Sequence, residues 1–225
     1  KELEEHNLKN LTFLPNGVDV KKFNPRFKSY EWRSRFGGGK KPIVLFVSRL
    51  VWEKDLRVLA NAYQFLRSRR KDFEMAIVGD GHAREEFQQI MPEAHFLGFQ
   101  TRQALSEAFA SSDIFVFPST TETFGLVTLE AMASGTVPVA AKAGGAVDII
   151  EEGKSGFFSE PLNSMDLAKK VEVLLDLPEK RKFLSEAAVK RAQLFSWENI
   201  FEQLFFNYEE VIHHFRKLDE THRAA

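Results

Sequence analysis

The sequence predicts a doubly wound, parallel α/β sheet, and three observations predict it. Short apolar runs alternate with helix-patterned stretches along almost the whole chain. The runs are apolar at consecutive rather than alternate positions, as in "IVLFV" and "FEMAIV", which suits strands covered on both faces. Several of them also run straight into glycine or polar residues before the next helical pattern starts, as strand-to-helix turns do.

The elements follow in order. Residues 1–10, "KELEEHNLKN", read as the tail of a helix and lack the apolar core of a signal peptide. "LPNGVDVKKFNP" (14–25) has the turn residues of a connector, and "FGGGKK" (36–41) reads as a flexible loop. "IVLFVSRL" (43–50) is the first core strand. Residues 54–68 follow as a helix with Leu56, Leu59, Tyr63 and Leu66 at helical spacing. "FEMAIVGDG" is a strand closed by a glycine turn, 84–91 a polar helix, and "AHFLGF" a short strand. Residues 101–111 form an amphipathic helix with Thr101 as its N-cap. "DIFVFPS" is a strand stopped by Pro118. A helix through "TFGLVTLEAMASG", the strand "VPVAA", a short helix at 147–151 and the small strand "SGFFS" come next. Helices at 164–177, 179–195 and 197–215 close the chain, with breaks at Pro178 and Ser196. This arrangement is Rossmann-like.

Composition excludes several classes. The 225 residues suffice for one large domain or two small ones. A net charge of −1 gives no global attraction to nucleic acid or anionic lipid. The absence of cysteine rules out disulfides, thiolate metal sites and cysteine nucleophiles, and fits a reducing compartment. No apolar run approaches the ~20 residues of a membrane span. The six histidines show no metal-ligand spacing. His213 and His214 read as solvent-facing, and the aromatic run "SWENIFEQLFFNYEEVI" (196–212) as core rather than cofactor site.

In an open α/β sheet, ligands bind beyond the carboxyl ends of the strands. Four loops fall there, at 48–55, 79–82, 98–102 and 119–125. Arg49 and Lys54 in the first are two cations suited to a diphosphate; taken singly, each is also an ordinary solvated surface charge. In "GDGH" the glycines let backbone approach a ligand closely and Asp80 can cap the next helix, while a plain tight turn explains the motif equally well. In the fourth loop, residues 124–127 leave their amides open at a helix start, a ready anion site. Glu122, just outside, is at home there as a cap. Glu130 lies within an apolar helix, where an unpaired carboxylate would cost several kcal/mol or protonate. Its partner is either a ligand or a buried cation such as Arg49.

In order and spacing, "LPNGVDVKKFNP", "FVSRLVWEKD", "IVGDGHARE", "FLGF", "FVFPSTTETFGLVTLEAMASGTVPV", "AGGAVDII" and "GKSGFF" resemble the C-terminal half of retaining glycosyltransferases of family 4, which have the GT-B fold. The resemblance covers residues 14–212, and its signature is the Glu-x7-Glu element from Glu122 to Glu130. It implies that the chain is the donor-binding half of a hexosyltransferase that moves a sugar from a UDP- or GDP-activated donor to an acceptor hydroxyl. Arg49 and Lys54 would grip the diphosphate, Glu122 would face the donor sugar, and Glu130 would bind the ribose hydroxyls. The backbone of Phe124, Gly125, Leu126 and Val127 would hold phosphate. Phe99, or the backbone around Leu97 and Gly98, would border the base, with Gly79 nearby.

The resemblance implies no cofactor and no metal. It makes residues 1–24 the end of an N-terminal domain and the connector, 25–195 the nucleotide-sugar-binding domain, and 196–225 a helix that crosses back to the N-terminal domain. The acceptor would be held by that other half, so this chain alone would bind donor without transferring sugar. Peripheral membrane association through the other half, a homodimer of this fragment, and a cytoplasmic location or one at the cytoplasmic face of a membrane fit the same picture. Two positions depart from the family pattern. Asp55 stands where glycine is usual, with a carboxylate that repels phosphate or reshapes the loop, and His82 stands where proline is common. The alternatives are a nucleotide-sugar epimerase of the same architecture and a nucleotide-binding domain without catalysis.

Overall fold

The computed structural model describes residues 11–12 and 14–223, with backbone only for Arg102, His214 and residues 216–223. The expected helix tail at 1–10 lies outside them. Six strands form one sheet: β1 Ile43–Val47, β2 Glu74–Val78, β3 His95–Phe96, β4 Ile114–Phe117, β5 Val137–Ala141 and β6 Phe157–Ser159. All pair in parallel, in the order β3-β2-β1-β4-β5-β6. Every residue of β1, β2, β4 and β5 is buried, as consecutive apolar runs require.

The helices are α1 Tyr30–Ser34, α2 Leu56–Arg69, α3 Arg84–Ile90, α4 Arg102–Ser111, α5 Leu126–Ala133, α6 Ala146–Ile149, α7 Ser164–Asp176, α8 Pro178–Gln193 and α9 Trp197–Arg223. Their starts are set by local chemistry. Ser29 accepts from the Trp32 amide at α1, and Asn163 from the Asp166 amide at α7. Pro178 occupies the first position of α8, where its missing N–H costs nothing. Ser196 accepts from the Asn199 amide at the start of α9. Thr101 precedes α4 as expected, but its side chain makes no capping bond.

The core runs through both faces of the sheet. Phe46 stacks on Phe117, and Phe117 on Phe115, at ring separations of 6.3 and 5.7 Å. The connector belongs to this body: Phe23 meets Phe109 edge-on, and Val18 bridges to Ser196. The aromatic run of α9 is largely exposed, as expected of a helix read as reaching across to another domain. Ile200 is buried, but Phe201, Phe205, Phe206, Tyr208, Val211 and Ile212 are each about half exposed or more. Beyond Ile200 the helix runs clear of the packed layers, so its apolar residues are surface and not core. His213 is exposed, as its sequence position suggests.

Candidate functional site

The strand order places a switch point between β1 and β4. From β1 the chain winds outward to β2 and β3; from β4 it winds the other way to β5 and β6. The connections that leave β1 and β4 therefore wind in opposite directions, the arrangement beside which open α/β sheets bind ligands in a crevice at the carboxyl ends of their strands. The loop after β1 carries Arg49, Lys54 and Asp55. The loop after β4 carries residues 118–125 and leads into α5.

The structure joins these two loops directly. Lys54 Nζ lies 3.0 Å from Glu122 Oε2, with both side chains largely buried. Asp55 Oδ2 accepts from the Thr120 amide at 2.8 Å and from Thr120 Oγ1 at 2.9 Å. Thr121 Oγ1 donates to the Glu53 carbonyl at 3.2 Å. Asp55 itself is left-handed, with φ 55° and ψ 37°, a conformation glycine adopts freely and Asp tolerates better than most residues. Its carboxylate is thus engaged with the neighbouring loop.

Behind this pair the β5 loop closes in. A Cβ on Gly144 or Gly145 would collide with the backbone of Glu122 or Phe124, so only glycines let this loop pass so near. Gly125, at φ 89°, stands at the start of α5 and provides no side-chain cap. The amides of residues 124–127 find no acceptor among the described residues, so the amino end of an eight-residue helix stays open. Glu122 does not cap it, being held by Lys54.

A second group gathers at the ends of β1 and β2. Arg49, Gly79, Asp80 and Phe99 line a cavity of about 130 Å³. The Arg49 side chain is exposed and has no ion pair or hydrogen bond among the described residues. Gly79 donates to the Gly98 carbonyl at 2.8 Å, and the Leu97 carbonyl accepts from Gln100, which fixes the loop behind Phe99. Phe99 presents a 75% exposed ring. The glycines of "GDGH" allow a close approach between two protein loops. A Cβ on Gly79 or Gly81 would strike the carbonyl of Ser48 or Leu50, so they bring two protein loops together. Asp80 accepts from Gly81 and pairs with Arg84 at 3.1 Å and does not cap α3.

Glu130 sits on α5 among buried Thr128, Leu129, Ala131, Met132 and Ala133. Among the described residues nothing pairs with its carboxylate; the alternative of an ion pair with Arg49 is not realised. Burial pushes its pKa up to about 7, against a smaller opposing pull from Lys22 in the connector. Lys22, in turn, lines a cavity with Phe27, Gln103 and Ser106. Sequence reading missed Lys22, Thr120 and Thr121. The polar run "STTETFG" marked the last two as loop, but which strand's loop they would meet depends on strand order. Among the described residues, no three His, Asp or Glu side chains gather as metal ligands would, and no helix is long and apolar enough to cross a membrane.

Comparison with known proteins agrees with this layout. A sulfoquinovosyl transferase of Arabidopsis thaliana is 42% identical over 189 residues, 80% of this chain and 36% of that protein. A GDP-mannose-dependent alpha-mannosyltransferase of Corynebacterium glutamicum is 34% identical over 213 residues, 94% of this chain and 50% of its own length. The chain spans about a third to a half of the length of these relatives. Among solved structures, Anabaena HepE in complex with UDP-glucose superposes with a TM-score of 0.75 at 28% identity, over 86% of this chain and 56% of that one. The sequence model of the group 1 glycosyl transferases matches residues 30–191, from α1 to near the end of α8 and through every loop of the crevice. With the parallel sheet and its switch point in place, the match settles the family: this chain belongs to the group 1 glycosyl transferases.

Proposed function

We propose that this domain binds a nucleotide-diphosphate sugar in the crevice between β1 and β4 and presents its hexose for transfer to an acceptor hydroxyl, with retention at the anomeric carbon. One observation carries the reading: the open amino end of α5 lies directly after a loop on which Lys54 and Glu122 already meet. A diphosphate is the ligand that such a helix end and a nearby ammonium suit. On binding, the Lys54 ammonium turns from Glu122 to the diphosphate, and Glu122 accepts from a sugar hydroxyl. Arg49, without a side-chain partner among the described residues, adds a second cation. As the bond from the anomeric carbon to the diphosphate breaks, these groups meet the charge that develops on the leaving oxygen. They supply positive charge without a metal ion. The Phe99 ring borders the base, and Glu130 accepts from the ribose hydroxyls, whose hydrogen bonds offset the desolvation of its carboxylate. The GDP-mannose named for one relative and the UDP-glucose held by HepE support a uridine or guanosine diphosphate donor. In this reading acceptor recognition falls to residues outside this domain, and the transfer takes place in the cytoplasm or at the cytoplasmic face of a membrane.

Calorimetric titration with UDP, GDP and ADP, with UDP- and GDP-hexoses, and with and without EDTA tests the reading. The expected result is binding of a uridine or guanosine diphosphate, ADP bound more weakly, and no effect of chelator. A folded chain that binds none of them overturns it. In the full-length protein, donor consumption should require an acceptor. Conversion of the donor sugar without one would point to an epimerase instead.

A further inference from the structure

We infer that Asp55 is a positioning residue for the donor sugar: it pins Thr120 and thereby holds the Glu122 loop against Lys54. This rests on the reading of the crevice as a donor site. Three consecutive residues of the β1 loop meet three consecutive residues of the β4 loop. Glu53 offers its carbonyl to Thr121, Lys54 its ammonium to Glu122, and Asp55 its carboxylate to Thr120. Two of these contacts can be lost when donor arrives. A diphosphate competes for Lys54, and the Thr121 bond is exposed and long at 3.2 Å. The Asp55 contact has no such competitor. One oxygen, Oδ2, takes both the backbone and the side-chain hydrogen of Thr120 at 2.8 and 2.9 Å. Charge-assisted bonds of this kind are the stronger ones.

The left-handed backbone at Asp55 supports the assignment. Glycine would fit φ 55° without strain, and a residue with a Cβ persists there with its carboxylate turned onto Thr120. The clamp leaves Glu122 tethered two residues beyond a fixed point even after Lys54 has left it. Glu122 then stays where a sugar hydroxyl can reach it, and the loop is spared an ordering cost on binding. A carboxylate next to the diphosphate grip would otherwise look like a liability; here its Oδ2 is committed to Thr120.

The test compares Asp55→Gly and Asp55→Asn with the unaltered protein, using UDP, GDP and their hexoses in calorimetry. Glycine keeps the backbone conformation and removes the clamp. Asparagine tolerates the same backbone and keeps an oxygen that can accept both Thr120 hydrogens. For Asp55→Gly, affinity for the nucleotide sugar should fall about tenfold, as for loss of one charge-assisted contact, and affinity for the bare nucleoside diphosphate should change much less. Asp55→Asn should recover most of that loss. Tighter binding by both variants would mean that the carboxylate repels phosphate, and the inference would fall. Equal binding by all three proteins would also overturn it. Amide hydrogen exchange at Thr120, measured without ligand, keeps this question apart from the donor assignment. Exchange should quicken in Asp55→Gly whether or not any nucleotide binds, and an unchanged rate would refute the clamp itself.

Discussion

Glu74 and Glu130 are both drawn out of water, and the two ends of the sheet treat them in opposite ways. Glu74 opens β2 at the amino ends of the strands. Burial pushes its carboxyl up, but Lys41 at 2.9 Å and His95 at 3.1 Å more than offset this and hold it below the usual range. Nearby, Arg33 donates to the Ser111 and Lys41 carbonyls and to Asp113 Oδ2, which also accepts from the Ile43 amide. Buried charge at that end is answered by protein. At the carboxyl ends Glu130 has no partner among the described residues, Arg49 has none, and the start of α5 is uncapped. A part-buried carboxylate without a partner carries a desolvation cost, which is what raises the Glu130 pKa, while Arg49 is exposed and carries none. The contrast separates charges answered within the domain from charges left without a partner among the described residues.

The largest effect should come from the built end. Arg33→Ala leaves Asp113 without its cation, and chemical denaturation should register a loss of about 3–5 kcal/mol. Nucleotide affinity of the folded fraction should stay within about twofold, and a large drop there would blur the distinction between the two ends.

Glu130→Gln should do the reverse. The folded state holds the Glu130 proton up to a pKa of about 7, whereas the unfolded chain releases it near 4.5. The neutral form is therefore the one that folding favours. Stability from this group is present below pH 4.5 and is lost as pH rises through 7. At pH 8 the substitution should stabilise the domain by up to about 3 kcal/mol, and at pH 5 by less than about 1 kcal/mol. Thermal melts at the two pH values check this. A pH-independent difference would mean that the carboxylate is solvated. The same variant should weaken nucleotide binding more than pyrophosphate binding, because pyrophosphate lacks a ribose.

Arg49→Ala and Lys54→Ala sharpen the comparison further. Each should weaken nucleoside diphosphate binding by roughly 1.5–3 kcal/mol in calorimetry. Arg49→Ala should shift stability by less than about 1 kcal/mol, as expected for an exposed side chain; Lys54→Ala leaves the largely buried Glu122 carboxylate without its cation and should cost more, up to about 3 kcal/mol.

Much of this was legible in the chain. The buried strands announced themselves because consecutive apolar residues leave no wet face, and the loops at their carboxyl ends followed from strand direction alone. Arg49, Lys54, Glu122 and the open start of α5 could be nominated from those loops. Their meeting could not, because Lys54 faces Glu122 only since β1 and β4 are neighbours, a fact of strand order that local pattern does not encode. Asp55 was visible as a carboxylate where glycine is usual, but its acceptor role depends on a threonine far away in sequence. Asp80 misled for a local reason: Arg84, one turn on, competes for it against the helix amides. The exposure of the α9 aromatics was legible too, because an apolar run too dense for a free surface reports what a helix can cover, not whether a neighbour is there.

The ladder between β1 and β4 also says something about how the domain comes together. β1 shares five paired positions with β2, from Ile43–Glu74 to Val47–Val78, and β4 shares four with β5. Between β1 and β4 only Val44–Ile114 and Leu45–Phe115 are paired, and the chain that joins them passes through all of β2 and β3. Pairing that closes so long a stretch comes at a greater entropic cost than pairing within either half. A folding route built from short closures thus assembles two three-stranded halves and zips their seam late. The crevice is the mouth of that seam, so a molecule gripping both loops would act as a staple, slowing the halves from parting more than it speeds their joining.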